Sequence, residues 1–192
     1  MKKLVKNQIV NWVSDVYRIF AEIGLIDLIR SNCNYSESTH VLAIVKQRLI
    51  DIHNQNILSD INSSSKCSMY RHLIDHVTLQ EYLCKPIYMQ YKKFICKLRL
   101  SSHCLAIETG RYKNIPFDKR ICSFCKEDIE DEFHFMLKCP AYHDLRVQFL
   151  KPYYYRRPSV FKLIQLLSSQ NTKELCNLGK FIKKAFDIRK NI

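Results

Sequence analysis

Cys122, Cys125, His134 and Cys139 stand in the pattern C-x2-C-x8-H-x4-C, and that spacing restricts how the surrounding chain can fold. Two cysteines two residues apart both face one point only from a tight knuckle. A histidine and a third cysteine further on can then close a tetrahedral shell around a zinc ion. The intervening residues suit this geometry. Ser123-Phe124 supplies a short turn whose amides can face the sulfurs. Glu130-Asp131-Glu132 fits a helix N-terminus, where the macrodipole favours negative charge, and puts His134 in the first turns of that helix. Pro140 disfavours the α region at the residue before it, so the helix should stop at Cys139 and let the thiolate swing back. Four protein ligands leave no open position for water, so the expected cofactor is one structural Zn2+ and not a hydrolytic ion. Glu132 is expected to solvate a helix face. His143 and the pair His103/Cys104 are spare donors, either able to replace an assigned ligand.

Cysteine usage bears on the compartment. Nine cysteines is an odd number, and three of them fall in the metal-spaced cluster, which fits a reducing interior better than a disulfide framework. Met1-Lys2-Lys3-Leu4-Val5 begins like a leader, but Lys6, Asn7 and Gln8 break any apolar stretch, so no signal peptide is expected. No run approaches the roughly 18 apolar residues of a membrane span. An intracellular protein, nuclear or cytoplasmic and without a membrane partner, is expected.

With only 3 glycines and 5 prolines, the chain should be rich in helix. Ile9, Trp12, Val13, Val16, Phe20 and Ile23 recur at helical spacing, which places Trp12 in a core, and Gly24 can end that helix in a left-handed conformation. The polar stretch 31–38 reads as a loop with Ser38 as N-cap, followed by a second amphipathic helix through Leu42, Val45, Leu49 and Ile52. Asn62-Ser63-Ser64-Ser65-Lys66 reads as a linker. Pro86 should open a helix carrying Ile87, Tyr91, Phe94, Ile95 and Leu98, after a short helix within 70–82. The segment 101–118, with Gly110 and Pro116, reads as loop with at most a short strand. Helices are expected over 140–150, 160–167 and 173–189, with 153–158 a turn. In the last helix Leu175, Leu178, Ile182, Ala185 and Phe186 form the buried face, and Lys180, Lys183, Lys184, Arg189 and Lys190 lie outside it. The fold class is therefore mainly α: a small helical bundle with an irregular zinc-stabilised CCHC knuckle at 122–139. An N-terminal helical segment 1–61 precedes a helical region 67–192 that contains the knuckle and the C-terminal helices.

The charge is uneven. Lys plus Arg number 31 against 18 Asp plus Glu, a net charge of +13, which points to a polyanionic partner. Cations gather over 91–120 with Tyr91, Phe94, Tyr112 and Phe117 among them, and again at Tyr153-Tyr154-Tyr155-Arg156-Arg157. Arginine forks onto phosphate while aromatic rings stack on unpaired bases. The candidate nucleic-acid contacts are Arg99, Arg111, Tyr112, Lys113, Lys119, Arg120, Arg156 and Arg157, with RNA or single-stranded DNA as the partner. The plainer alternative is that these charges solvate helix faces.

The run Ile107-Glu108-Thr109-Gly110-Arg111-Tyr112 leads to Arg120-x-Cys122-x2-Cys125, then to Glu130-Asp131-Glu132-x-His134, Cys139-Pro140, Tyr142 and Leu145-Arg146. Across about 94–146 this resembles the zinc-knuckle region downstream of the polymerase domain in non-LTR (LINE-type) retrotransposon reverse transcriptases. Segments 12–28 and 179–189 resemble the flanking parts more loosely. The resemblance implies a module that helps a reverse transcriptase hold template RNA or target DNA, with Cys122, Cys125, His134 and Cys139 as metal ligands. The paired aspartates that a polymerase palm needs to hold two metal ions are absent, as is any recognisable endonuclease. An orphan or truncated fragment is therefore expected, with a separate reverse transcriptase polypeptide as a further partner. The spacing from Cys125 to His134 is wider than in the short retroviral knuckle, so that knuckle's grip on bases does not carry over.

No nucleophile–base pair, glycine-rich phosphate loop or carboxylate cluster outside 127–132 supports an enzyme, so no catalytic residue is assigned. The expected function is a non-catalytic, zinc-stabilised nucleic-acid-binding module. The alternative is a protein-interaction scaffold in which zinc is purely structural and nucleic-acid binding has been lost; its mark would be an exposed apolar groove on the N-terminal helices.

Overall fold

The computed structural model describes residues 11–30 and 38–190, without the side chain of Ser38. Ile9, the residues before it, the loop over 31–37 and the proposed cap at Ser38 lie outside the described residues. The chain divides into two compact units, 1–60 and 61–192. Among the described residues the regular elements are helical, and the one β-type pairing is an isolated bridge between Ile121 and Ile129. No described helix is long and apolar enough to cross a membrane.

In the first unit α1 (Trp12–Glu22) starts at Asn11, whose side chain accepts from the amides of Val13 and Ser14. It ends before Gly24, which takes φ +72°, the left-handed conformation expected of it. After α2 (Ile26–Arg30) comes α3 (Ser38–Ser63), and Arg48 on α3 donates to the carbonyl of Ile23 at 3.2 Å. Two expectations fail here. Trp12 is 67% exposed: it sits at the first helical position, and Val13 takes the inward place, with Ile23 also buried at the helix end. On α3 Leu42 and Leu49 are exposed, Val45 and Ile52 are half-buried and no described side chain is buried, so the expected amphipathic face does not form a covered stripe. The helix also runs into the expected linker, taking Asn62 and Ser63. Ser64 then accepts from Lys66 in a 3-10 turn, and Arg71 donates to the Ser64 carbonyl at 2.9 Å.

The second unit holds the core. A short α4 (Glu81–Cys84) precedes α5 (Met89–Arg99), which begins after Pro86 and Ile87 rather than at them. Next come α6 (Ala106–Tyr112), the knuckle, α7 (His143–Phe149), α8 (Pro152–Tyr155), α9 (Val160–Leu167) and α10 (Thr172–Arg189). The expected turn at 153–158 is thus a short helix over its first residues. Ser159 and Asn171 cap α9 and α10 by accepting from the amides of Lys162 and Glu174, contributing about 1 kcal/mol each.

The α5–α10 pair is the spine of this unit. Leu175, Leu178, Phe181, Ile182, Ala185 and Phe186 are buried against Ile95 and Leu98, and Phe94 stacks on Phe186 at 6.2 Å. Each fully buried Leu or Phe is worth about 1.5–3 kcal/mol. A Cβ added at Gly179 would lie 2.2 Å from the Cβ of Tyr91, so the two helices approach each other where only glycine fits.

Segment 101–118 departs most from expectation, since its centre is helix α6. Gly110 is not a breaker there. A Cβ on it would meet the Arg120 side chain at 2.7 Å, so this glycine lets Arg120 lie along the helix.

Candidate metal centre

The knuckle is built by backbone pairing. Beside the Ile121–Ile129 bridge, the amide of Cys122 donates to Asp128 and that of Glu130 to the carbonyl of Arg120, both at 2.9 Å. The Lys126 amide donates to Cys122 at 3.0 Å, and Lys126 takes φ +57°, reversing the chain after the second cysteine. Phe124 packs edge-on against Tyr142 at 5.5 Å, which fixes the knuckle to the core.

His134 and Cys139 come from a helical turn of unusual width. The Asp131 carboxylate accepts from the His134 amide at 2.7 Å and so caps the turn's start. At the other end the Cys139 amide donates to the His134 carbonyl at 2.7 Å, a bond spanning five residues, as in a π-helix. Cys139 then leaves the helix at φ −51°, ψ 122°, as Pro140 requires. The wide turn brings both ends of the five-residue segment to one place.

The four ligand atoms lie within 4.8 Å of one another. Cys122 Sγ and Cys139 Sγ are 3.8 Å apart, and Cys125 Sγ and His134 Nε2 are 3.3 Å apart. Sulfurs bound at about 2.3 Å to one tetrahedral ion would stand about 3.8 Å apart. A disulfide would need about 2.05 Å. The cluster can hold one metal ion.

Its electrostatics favour the imidazole as a ligand and hold the thiols protonated until a cation displaces their protons. Burial pushes up the Cys122 thiol, against the pull of the Cys125 and Phe124 amides. Burial takes the Cys139 thiol up to about 12, although the Ala141 amide pulls it down. Burial also lowers His134, against the nearby carboxylates of Asp128, Asp131 and Glu130, so the imidazole is neutral and free to ligate at neutral pH. Buried thiols of this kind become thiolates when a cation takes their protons' place. His134 Nδ1 is buried without a hydrogen bond, with Asp128 Oδ2 the facing carboxylate at 3.8 Å.

The other candidate donors have different partners. His103 Nε2 lies 3.0 Å from Glu132 Oε1, which also accepts from Ser101 at 2.6 Å. Glu132 is therefore a buried, hydrogen-bonded group and not the solvated one expected. Burial alone would raise its carboxyl, but His103 and Ser101 outweigh that and hold it below the usual range. His143 and Cys104 are exposed and stand outside the four-atom cluster.

No family model, curated protein or solved structure matches the chain.

The candidate nucleic-acid contacts separate into two groups. Arg99 is 2% exposed because it follows Ile95 by four residues on the inward face of α5. It donates to the Leu167 carbonyl at the end of α9 and to Gln80, and it lies over the Tyr82 ring. Arg99 is thus a core residue, not a surface contact. Arg120 donates to the carbonyls of Ile115 and Ile107, and Arg111 pairs with buried Glu108 and reaches Ser65; both fasten α6. Tyr112, Lys113, Lys119, Arg156 and Arg157 are exposed.

Two partners of the knuckle escaped the sequence reading. Glu130 is 1% exposed and Arg146 3% exposed, and nothing in their neighbours along the chain marks either as internal.

Proposed function

We propose that this chain is a non-catalytic module, stabilised by one zinc ion, that binds RNA or single-stranded DNA. Zinc is the metal of choice because three thiolates and one imidazole in tetrahedral array match its preferences. Once bound it would supply cross-linking of the knuckle to the core and no chemistry, since all four positions are filled by protein. The observation that carries the nucleic-acid reading is Tyr112: it is 73% exposed at the end of α6, next to exposed Lys113. Lys119 lies in the 3-10 turn Phe117–Lys119 packed on the same helix. An exposed ring flanked by cations on a fastened helix suits stacking on a base with phosphates alongside. The net charge of +13 and the resemblance to retrotransposon reverse transcriptases agree with it. A separate polymerase polypeptide would then supply the catalysis, inside the cell.

Fluorescence anisotropy with single-stranded oligonucleotides over a range of salt tests this. Affinity should fall steeply with salt as counterions are released, and Tyr112→Ala with Lys113→Gln should weaken it. Salt-insensitive binding would exclude the reading.

A second reading concerns the N-terminal unit alone. Trp12 at 67% and Leu42 at 66% exposure are large apolar groups of the kind that mark protein contacts, which favours a scaffold role there. Trp12→Ala that leaves nucleic-acid affinity unchanged would separate the two.

A further inference from the structure

Beside the metal loop lies a cleft of about 550 Å³ to which metal binding gives no role. Three elements make its wall cationic: Lys138 ends the wide turn, Arg146 stands on α7 and Arg156 follows α8. His143 and Tyr155 also line it, with their rings edge to face at 6.3 Å. Among the described residues no carboxylate lines this cleft.

Arg146 is its most telling member. At 3% exposure its Nη2 donates to the carbonyls of Cys139 at 2.5 Å and Lys138 at 3.4 Å. Its Nη1 is buried and bonds nothing, and among the described residues no carboxylate pairs with it. Carbonyls offset only part of the cost of burying a guanidinium, whose full complement is an anion, and its fork matches phosphate or carboxylate oxygens. Lys138 has Asp128 at 3.2 Å, but both side chains are nearly half exposed, so that pair is weak and easily exchanged. Another cleft, of about 540 Å³ against α5 and α10, is lined by Lys93, Lys97, Lys183 and Lys190. A carboxylate, Asp187, itself lines that cleft, 3.8 Å from both Lys183 and Lys190. Cationic surface alone is therefore not what distinguishes the cleft at Arg146; the unanswered buried arginine is.

We propose that the cleft at Lys138, Arg146 and Arg156 binds the phosphate of a nucleotide unit, with the base against Tyr155 and His143. The volume suits one nucleotide, because small-molecule pockets run to about 300–1,000 Å³. The assignment of that nucleotide to a nucleic-acid strand rests on the function proposed above. The phosphate chemistry of the cleft does not, since a free nucleoside phosphate presents the same group.

The test pairs two ligands with two variants. A fluorescent single-stranded RNA of about twelve nucleotides is titrated by anisotropy, and adenosine monophosphate by calorimetry. Lys138→Gln/Arg156→Gln removes two exposed charges from the cleft and spares buried Arg146. Lys93→Gln/Lys97→Gln removes the same charge elsewhere, and metal content confirms that each protein is intact. At about 0.1 M salt the cleft variant should lose roughly tenfold in RNA affinity. Its salt slope should become shallower by about 0.7, the value for one phosphate no longer neutralised on a single strand, while the control stays within about twofold. RNA binding that survives in the cleft variant, or falls equally in the control, overturns the cleft and leaves the nucleic-acid reading standing. Binding of adenosine monophosphate that the cleft variant loses, with no RNA bound by any protein, supports the cleft and removes the nucleic-acid reading. Binding of neither ligand overturns both.

Discussion

Arg189 grips Glu130 across 59 residues of sequence with two hydrogen bonds, Nε to Oε1 at 2.8 Å and Nη2 to Oε2 at 2.6 Å. The same carboxylate accepts from the Ala106 amide at 2.7 Å, so one buried group joins the end of α10, the start of α6 and the metal loop. Removing the arginine strands that charge. Arg189→Ala should cost about 3 kcal/mol, the lower end for a broken buried pair, because Arg189 itself is 18% exposed. Arg189→Lys should recover only part, since an ammonium lacks the fork. Urea unfolding measures both, and a loss below about 1 kcal/mol for the alanine variant would contradict the role.

Cys125→Ser should remove the bound metal and, with it, cooperative unfolding of the second unit. Elemental analysis should find one zinc per wild-type chain and none in the variant. A metal-free protein with an unchanged melting temperature would rule out a structural ion. Affinity should also weaken as pH drops from about 8 to 6, because protons compete for thiols, Cys139 above all, whose thiol is pushed up to about 12 by burial.

Gly179→Ala tests the crossing of α5 and α10. Alanine would gain up to about 1 kcal/mol of helix propensity, yet its methyl would meet Tyr91 backbone and Cβ atoms at 3.0 Å or less. Overpacking costs about 1–3 kcal/mol, so the net should be destabilising. A variant as stable as wild type would mean that the helices separate without cost.

Glu174 gives a dependence on pH. Burial would raise its carboxyl, but hydrogen bonds from Ser169, Lys151 and Tyr154 prevail and hold it below the usual range. A carboxyl depressed in the folded state stabilises fully above its unfolded value of about 4.3, and that contribution is lost as pH falls through the lower folded value. Between about pH 5 and 3, Glu174→Gln should therefore lose less stability than wild type. Acid release of the metal is common to both proteins and cancels in the comparison. Parallel curves would show that Glu174 carries no such linkage.

What could be read in the sequence was mostly local. The buried face of α10 follows from its period, and the four metal ligands fall within one short stretch whose spacing carries the geometry. The misreadings came from partners distant in sequence. Gly24 and Gly110 look alike as letters, yet one is a left-handed turn at φ +72° and the other makes room for Arg120. Arg99, placed among surface cations, shares a helical face with Ile95, and that spacing was open to reading. That its guanidinium would meet the Leu167 carbonyl was not. On α3 four spaced apolar residues suggested an amphipathic face, but apolar side chains lie around much of that helix and none of the described ones is buried.

Cys122 and Cys139 are 1% and 0% exposed, which has a consequence for time rather than for energy. An ion held between them can shed these two ligands only when the surrounding core opens, while partly exposed Cys125 can let go first, so its exchange with a free pool should be limited by the rate of that opening. Loading would then belong to folding itself, and isotope exchange in the finished protein would act as a clock for the rarest motions of the second unit.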